Sequence, residues 1–288
     1  MRLSVIVIFY NMRREAERTL YSLTRDYQRG IDQLDYEVIA IDNGSSQPLD
    51  PETVTKFGNN FHYQYVSSEF PSPCRAINEA VRNANGQLVM CCIDGARILS
   101  PGILRSSLVM SNVYQHPFVF TLGMHIGNKP QNELVEEGYS REMEDEFIAS
   151  VDWRRDGYRL FDISCLATSS NNGYFALIHE SNCFLLRKDD YFEIGGYDEA
   201  FTSPGGGICN LDIFKRANMS RSIAPIMLLG EATFHQFHGG VATNAPANDH
   251  PFWKMFDEYT RVKGEVFKPL SRGCIYFGEL TQGARKFL

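Results

Sequence analysis

The 288 residues carry 28 Lys and Arg against 35 Asp and Glu, a formal net charge of −7, with no basic run longer than the pairs Arg13-Arg14 and Arg154-Arg155; this excludes the electrostatic footprint of a duplex nucleic-acid binder. With 43% hydrophobic and 22% charged residues the composition is not that of a disordered chain, and a chain this long buries about three quarters of its unfolded surface without a disulfide or metal staple. Seven cysteines, odd in number and without Cys-x-x-Cys spacing, fit a reducing cytoplasm. No apolar run approaches the ~20 residues of a membrane span, and no small-residue cleavage site follows the N-terminal apolar run, so a soluble protein is expected, with peripheral membrane attachment left open.

In chain order, residues 4–10 are an apolar, β-branched run that predicts a buried strand, followed by a helix over 13–29 that ends before Gly30. A second buried strand over 36–41 is stopped by Asp42-Asn43-Gly44-Ser45-Ser46. A short helix over 51–57, a strand over 62–66, a helix over 73–85 with Ala76, Ile77, Ala80, Val81 and Ala84 on one face, and a strand over 88–93 continue the pattern. Ser100-Pro101 supplies an N-cap and a proline at the first helical position for a helix to about 114, and 118–122 predicts one more strand. Such alternation predicts an α/β fold with a mostly parallel central sheet flanked by helices.

After His125 the periodicity breaks. Residues 128–172 are polar, with seven Asp and Glu between Glu133 and Glu146, and predict a helix and a mobile loop. Strands are expected over 182–186 and 223–229, a helical turn over 188–194, a helix starting over 210–217 and an amphipathic helix near 253–262. There is no internal repeat and no low-complexity linker, so the chain reads as a single domain.

Ligands of open parallel sheets bind at the carboxyl ends of the strands, where helix N-termini and loop amides converge. Here those ends carry Phe9-Tyr10-Asn11, Asp42-Asn43-Gly44-Ser45-Ser46 and Asp94-Gly95-Ala96-Arg97. Asp42 and Asp94 each have an ordinary explanation in turn chemistry; their convergence with Arg75 argues for a ligand. Carboxylates hold ribose hydroxyls or a base N–H, Arg suits phosphate or base edges, and Gly95 admits a ligand to the backbone. Neither Gly-x-Gly-x-x-Gly after the first strand nor a phosphate-binding Gly-x-x-x-x-Gly-Lys-Ser/Thr is present. Gly205-Gly206-Gly207 reads as a flexible loop ahead of a helix rather than a phosphate cradle. His235-x-x-His238 would face opposite sides of a strand or neighbouring positions of a helix, and one strand-end histidine is a candidate ligand for a divalent ion that carries a diphosphate.

At these positions the sequence resembles the family 2 glycosyltransferases of the GT-A fold. The similarity lies in residues 4–11, in Leu20-Tyr21-Ser22-Leu23, in residues 37–45, in Ala76-Ile77-Asn78-Glu79-Ala80 with Asn85-Gly86, and in Gly195-Gly196-Tyr197-Asp198-Glu199-Ala200-Phe201 followed by Asp212-Ile213 and Arg216. It covers about 1–125 and 180–240, and divides the chain into a nucleotide-binding half (1–125), an acceptor-side half (126–250) and a C-terminal helical extension (251–288). The resemblance implies that Asp42 contacts a nucleobase, that Phe9, Tyr10 and Asn11 line the nucleotide pocket with Arg75 and Gly95, and that Asp94 holds ribose or diphosphate. It also implies transfer of a sugar from a nucleotide donor, UDP-linked, to a hydroxyl acceptor such as a growing glycan, with inversion at the anomeric carbon. Such a reaction needs a base within hydrogen-bond reach of the hydroxyl and positive charge on the leaving diphosphate.

Two departures from the family pattern mark this sequence. The family shows Asp-x-Asp where this chain has Asp94-Gly95-Ala96, so Mn²⁺ or Mg²⁺ would be carried by Asp94 with His238, or its role taken by Arg75 or Arg97. The Glu-Asp pair that supplies the base is replaced by Cys209-Asn210. Asp212 is the substitute, with Glu180 and Asp198 behind it; the competing reading of Asp212 is charge compensation at a helix N-terminus. Acceptor choice is expected in 128–172, acting as a lid, where Trp153 and Tyr158 either stack on a sugar or pack on the sheet. The alternatives are a non-catalytic sugar-nucleotide or glycan-binding module on the same fold, and a nucleotidyltransferase, which lacks the basic Gly-rich loop it would need.

Overall fold

A computed structural model of the chain describes residues 1–67, 71–240, 244 and 251–288. The first apolar run forms β1 (Leu3–Phe9), buried along its whole length, as a strand covered on both faces must be. It pairs in parallel with β2 (Tyr36–Asp42) on one side and β4 (Leu88–Cys92) on the other, and β2 pairs in parallel with β3 (Phe61–Tyr65). The crossovers carry α1 (Arg13–Tyr21), α2 (Pro51–Thr55) and α3 (Cys74–Asn83). The helix expected over 13–29 stops at Tyr21 because the Ser22 and Thr24 hydroxyls donate to the carbonyls of Thr19 and Tyr21, and the Gln28 amide to that of Ser22; these bonds favour turns over continued helix.

The sheet has ten strands, with its main path in the order β10-β9-β6-β8-β4-β1-β2-β3. β8 (Cys183–Arg187) runs antiparallel to both β4 and β6 (Pro117–Ile126), whereas β6, β9 (Ala224–His235) and β10 (Ile275–Gly278) are mutually parallel. β6 and β9 extend well past the predicted 118–122 and 223–229: a register shift between Phe120 and Leu122 lets the pair continue to the His125–His235 rung. Short β5 (Arg97–Leu99) and β7 (Ser164–Leu166) pair antiparallel with the ends of β9 and β6. Thus the carboxyl ends of β1, β2, β4, β6 and β9, and the beginning of β8, share one edge.

One apolar layer packs the sheet against α3 and α8 (Cys209–Met219) through Ile77, Val81, Phe118, Phe184 and Phe214. The other packs it against α1 and α4 (Ile103–Val113) through Val5, Val7, Leu20 and Leu104. Ahead of α4, Ser100 does not act as the N-cap; it donates instead to Glu231, whose carboxylate also accepts from the Gly102 amide.

Residues 128–172 differ most from expectation. They form α5 (Gln131–Glu136), α6 (Arg141–Ala149), β7 and 3₁₀ turns at Gly157–Ile163 and Thr168–Ser170. Gln131 and Glu144 are fully buried. Trp153 packs edge-on against Tyr21 and Tyr27, and the Tyr158 hydroxyl donates to Glu231, so both aromatics serve packing. α7 (Lys188–Glu193) and α9 (Phe252–Lys263) complete the helices. Gly205, Gly206 and Gly207, all with positive φ, form a tight turn ahead of α8. All seven cysteines are free thiols, and among the described residues no helix is long and apolar enough to cross a membrane.

The turn after β4 depends on Gly95. A Cβ there would lie 2.3 Å from Phe9 Cδ1 and 2.5 Å from the Ile8 carbonyl oxygen, so the end of β1 and this turn fit only without a side chain. Gly95→Ala is expected to cost about 1–3 kcal/mol through overpacking. Urea denaturation checks this, and an unchanged midpoint would contradict the packing described.

Candidate functional site

At the end of β1, Asn11 is the one non-glycine residue with positive φ (53°) among the described residues, a conformation asparagine tolerates better than most. That turn ties β1 to the loop after β2. The Asn11 amide donates to Ser45 Oγ at 2.8 Å, while its Oδ1 accepts from Ser46 Oγ and the Gln47 amide, both at 3.1 Å. Tyr10 is 48% exposed, whereas the Phe9 side chain lies wholly in the core, so Phe9 reaches this edge only through its carbonyl, which accepts from the Asn43 amide.

Asp42 is fully buried, and both carboxylate oxygens are engaged within its own loop, by the amides of Ser45 (3.0 Å) and Leu49 (2.7 Å). It shapes the loop that displays Asn43. The Asn43 side-chain amide donates to the Ser72 carbonyl at 3.3 Å, and its Oδ1 is buried without a hydrogen-bond partner. Asn43, Ser72, Arg75, Glu79 and Glu199 help to line a cavity of about 430 Å³. Arg75, on the first turn of α3, is ion-paired to Glu79 at 2.8 Å.

The charged centre of the edge is Asp94. Its Oδ1 accepts from the Ala96 amide at 3.0 Å, and its Oδ2 meets both Arg97 Nε and His235 Nε2 at 3.1 Å. The chain leaves β9 at His235 and turns as the Gln236 amide bonds the Ala96 carbonyl, which brings the His238 ring to 5.1 Å from that of His235. The ligand-capable atoms of Asp94, His235 and His238 all lie within 4.8 Å of one another. Burial holds the imidazoles below their ordinary pKa, His235 at about 4. Burial alone would raise the Asp94 carboxyl, but the neighbouring charges, Arg97 among them, outweigh it and keep it well below the usual range. Two neutral imidazoles and a carboxylate are the protonation states that a divalent cation requires.

The donor set suits such an ion in one further respect. His235 Nε2 is buried and, although close to Asp94, is in hydrogen-bonding alignment with no group. The pairing of Asp94 with His238 expected from sequence is present; His235 is the residue that reasoning missed, although the His-x-x-His spacing carried the signal. The turn after the strand, which periodicity does not reveal, swings His238 back onto His235.

The His238 loop is itself held. Asn244 Oδ1 accepts from the amides of His238, Gly239 and Gly240, Glu144 accepts from the Phe237 amide at 2.6 Å, and Arg141 donates to the His238 carbonyl. Arg14 bridges Glu15, Glu144 and Asp145 beside it.

Of the three carboxylates expected as base, two share one cation and the third stands apart. Asp212 and Asp198 meet at Lys263 Nζ, at 3.3 and 2.7 Å, and Asp212 is also paired with Arg216 at 2.7 Å. Glu180 precedes β8, half-buried, on the edge that holds Asp94, because β8 is antiparallel to β4; it makes no ion pair among the described residues. The Asn210 Oδ1 accepts from the Tyr197 hydroxyl at 3.2 Å, and the Nδ2 is buried without a partner.

Residues 4–105 match the family model described as glycosyl transferase family 2. The matched segment is about the N-terminal third of the chain. It includes β1 through β5 and the edge residues from Tyr10 to Arg97. Among solved structures, S. aureus TarS 1–349 superposes with a TM-score of 0.53 at 12% identity, over 82% of this chain and 60% of that one. The same S. aureus protein in complex with UDP-GlcNAc superposes with a TM-score of 0.55 at 12% identity, over 93% of this chain and 68% of that one. At this identity the likeness establishes the shared GT-A fold, and the chain spans about 60% of the first of these structures. No curated protein matches the sequence.

Through Lys263, Asp212 anchors α8 to α9. Asp212→Asn is expected to lower the free energy of unfolding by roughly 1–3 kcal/mol, since a buried, charge-assisted pair is lost. Chemical denaturation measures it, and unaltered stability would free Asp212 for another role.

Proposed function

We propose that the protein is a glycosyltransferase that moves a sugar from a UDP-linked donor to a hydroxyl acceptor such as a growing glycan, with inversion. The observation that carries this reading is the meeting of Asp94, His235 and His238 at the carboxyl edge of the sheet, within and just beyond a fold shared with a protein crystallised with UDP-GlcNAc. The two histidines stand in for the second carboxylate that Asp94-Gly95-Ala96 lacks. They and Asp94 would hold Mn²⁺ or Mg²⁺, which when bound neutralises charge on the departing diphosphate.

The chain's own residues do the rest. Arg97 and the Ala96 amide fix the Asp94 carboxylate. The unpartnered Asn43 Oδ1 is the acceptor available to a base N–H, taking over the contact of Asp42, which is fully buried and bonded within its loop. Arg75 stands beside it at the start of α3. Glu180, unencumbered by a cation, is the base that takes the acceptor proton, in preference to Asp212 and Asp198, which Lys263 and Arg216 neutralise. A cytoplasmic location belongs to the same proposal.

Incubation with Mn²⁺, a panel of UDP-, GDP- and dTDP-linked sugars and simple glycan acceptors tests it. UDP release is expected from one of the UDP-sugars, with Glu180→Gln lowering turnover by at least 100-fold, at the low end for a positioned acid–base group, while UDP still binds by calorimetry. Binding of UDP-sugar without release on any acceptor would support a binding module instead. Full activity of Glu180→Gln would return the base to Asp212.

A further inference from the structure

The cation reading of Asp94, His235 and His238 requires something of the protein that the three residues do not supply themselves. An imidazole can hold a cation at Nε2 only if its single ring proton is on Nδ1, and in an isolated histidine nothing forces that choice. Close to a carboxylate the other choice is the easier one, because an Nε2–H would donate to Asp94 Oδ2, 3.1 Å away. The fold must therefore hold the proton on the far nitrogen.

Gln131, the first residue of α5 and fully buried, is placed to do this. Its Nε2 is surrounded by acceptors: the carbonyls of His235 at 3.0 Å and Ile126 at 3.4 Å, and Glu144 Oε2 at 3.3 Å. Reversing the amide would set its oxygen against three other oxygens, so its orientation is fixed. The Gln131 Oε1 thus faces the other way, where it accepts from Asn244 Nδ2 at 2.8 Å and lies 2.6 Å from His235 Nδ1. An amide oxygen only accepts, so His235 Nδ1 carries the proton, and Nε2 presents its lone pair beside Asp94 in the buried, unaligned state observed.

We propose that Gln131 is a positioning residue that locks His235 in the Nδ1–H form and so creates the cation-binding face shared by Asp94, His235 and His238. Glu144 serves it from behind. The same carboxylate that orients the Gln131 amide accepts from the Phe237 amide at 2.6 Å, one residue before His238. A pair of residues from the polar stretch after β6 thereby sets both histidines, and the region expected to choose the acceptor also builds the centre that would hold the donor. The proposal rests on the cation reading above, and concerns which residue prepares the site.

Two measurements test it on the full chain. Long-range ¹H–¹⁵N spectra of the metal-free protein are expected to show His235 as the Nδ1–H tautomer, and in Gln131→Leu as the Nε2–H tautomer. Mn²⁺ binding followed by electron paramagnetic resonance is expected to weaken about 10–100-fold in Gln131→Leu, the usual loss when a ligand's outer partner is removed. A residue with only a packing role would lower the melting temperature and leave the tautomer unchanged. An Nε2–H tautomer in the unaltered protein, or unweakened Mn²⁺ binding in Gln131→Leu, overturns the role of Gln131 alone. Absence of Mn²⁺ binding by the unaltered protein overturns the cation reading and this proposal with it. Should Gln131→Leu fail to fold, the tautomer of the unaltered protein decides.

Discussion

The candidate site is organised around a single buried charge. Asp94 is largely withdrawn from water, and a carboxylate in that position is costly unless donors or cations surround it. Two features of the fold meet the requirement, the Ala96 amide from its own turn and Arg97 from the first residue of β5, while the His235 ring from the end of β9 closes the cluster. The first two contacts are local, from residues two and three positions after Asp94, and the approach of His235 depends on topology. β5 reaches β9 by antiparallel pairing, with Arg97 opposite His235, so the pairing that closes this part of the sheet also assembles the charge cluster. Gly95 lets the turn lie close against Phe9 and places Asp94 within reach of these partners.

Around this centre the two ends of the chain contribute different things. The N-terminal β-α-β units provide the strand ends and the loop shaped by Asp42, whose carboxylate binds backbone amides and which carries Asn43 with a buried, unpartnered acceptor. The later part provides the histidines and what holds them. Asn244 gathers three successive amides of the His238 loop, and Gln131 and Glu144 reach in from α5 and α6. The charges of residues 128–172 are consequently less repulsive than their number implies. Arg14 and Arg18 of α1 pair with Glu144 and Asp145, and this clamp joins α1 to α6 beside the candidate cation site.

Much of the fold was legible in the sequence where periodicity and turn residues agreed. β1, β2, β4, α3 and α9 lie within a few residues of their predicted positions, and the placement of Asp42 and Asp94 at strand ends follows from runs of apolar residues halted by Asn and Gly. The polar stretch after His125 was illegible for a physical reason: its order comes from long-range contacts. Trp153 against Tyr21, Gln131 against His235 and Glu144 against Arg14 join residues about a hundred positions apart or more, and no local pattern encodes them. The roles of single carboxylates were equally hidden. Asp42, Asp198 and Asp212 look alike in sequence, yet backbone amides partner the first and Lys263 and Arg216 the others, while Glu180 owes its position to the antiparallel sense of β8.

The account stands or falls on where a divalent cation binds. The most direct measurement is anomalous diffraction at the manganese edge from crystals grown with UDP and Mn²⁺. A single anomalous peak ligated by Asp94, His235 Nε2 and His238 is predicted, with His235 Nδ1 still bonded to Gln131. A peak elsewhere, or UDP bound at this edge with Asp94 and both histidines making no contact to any metal, would contradict it.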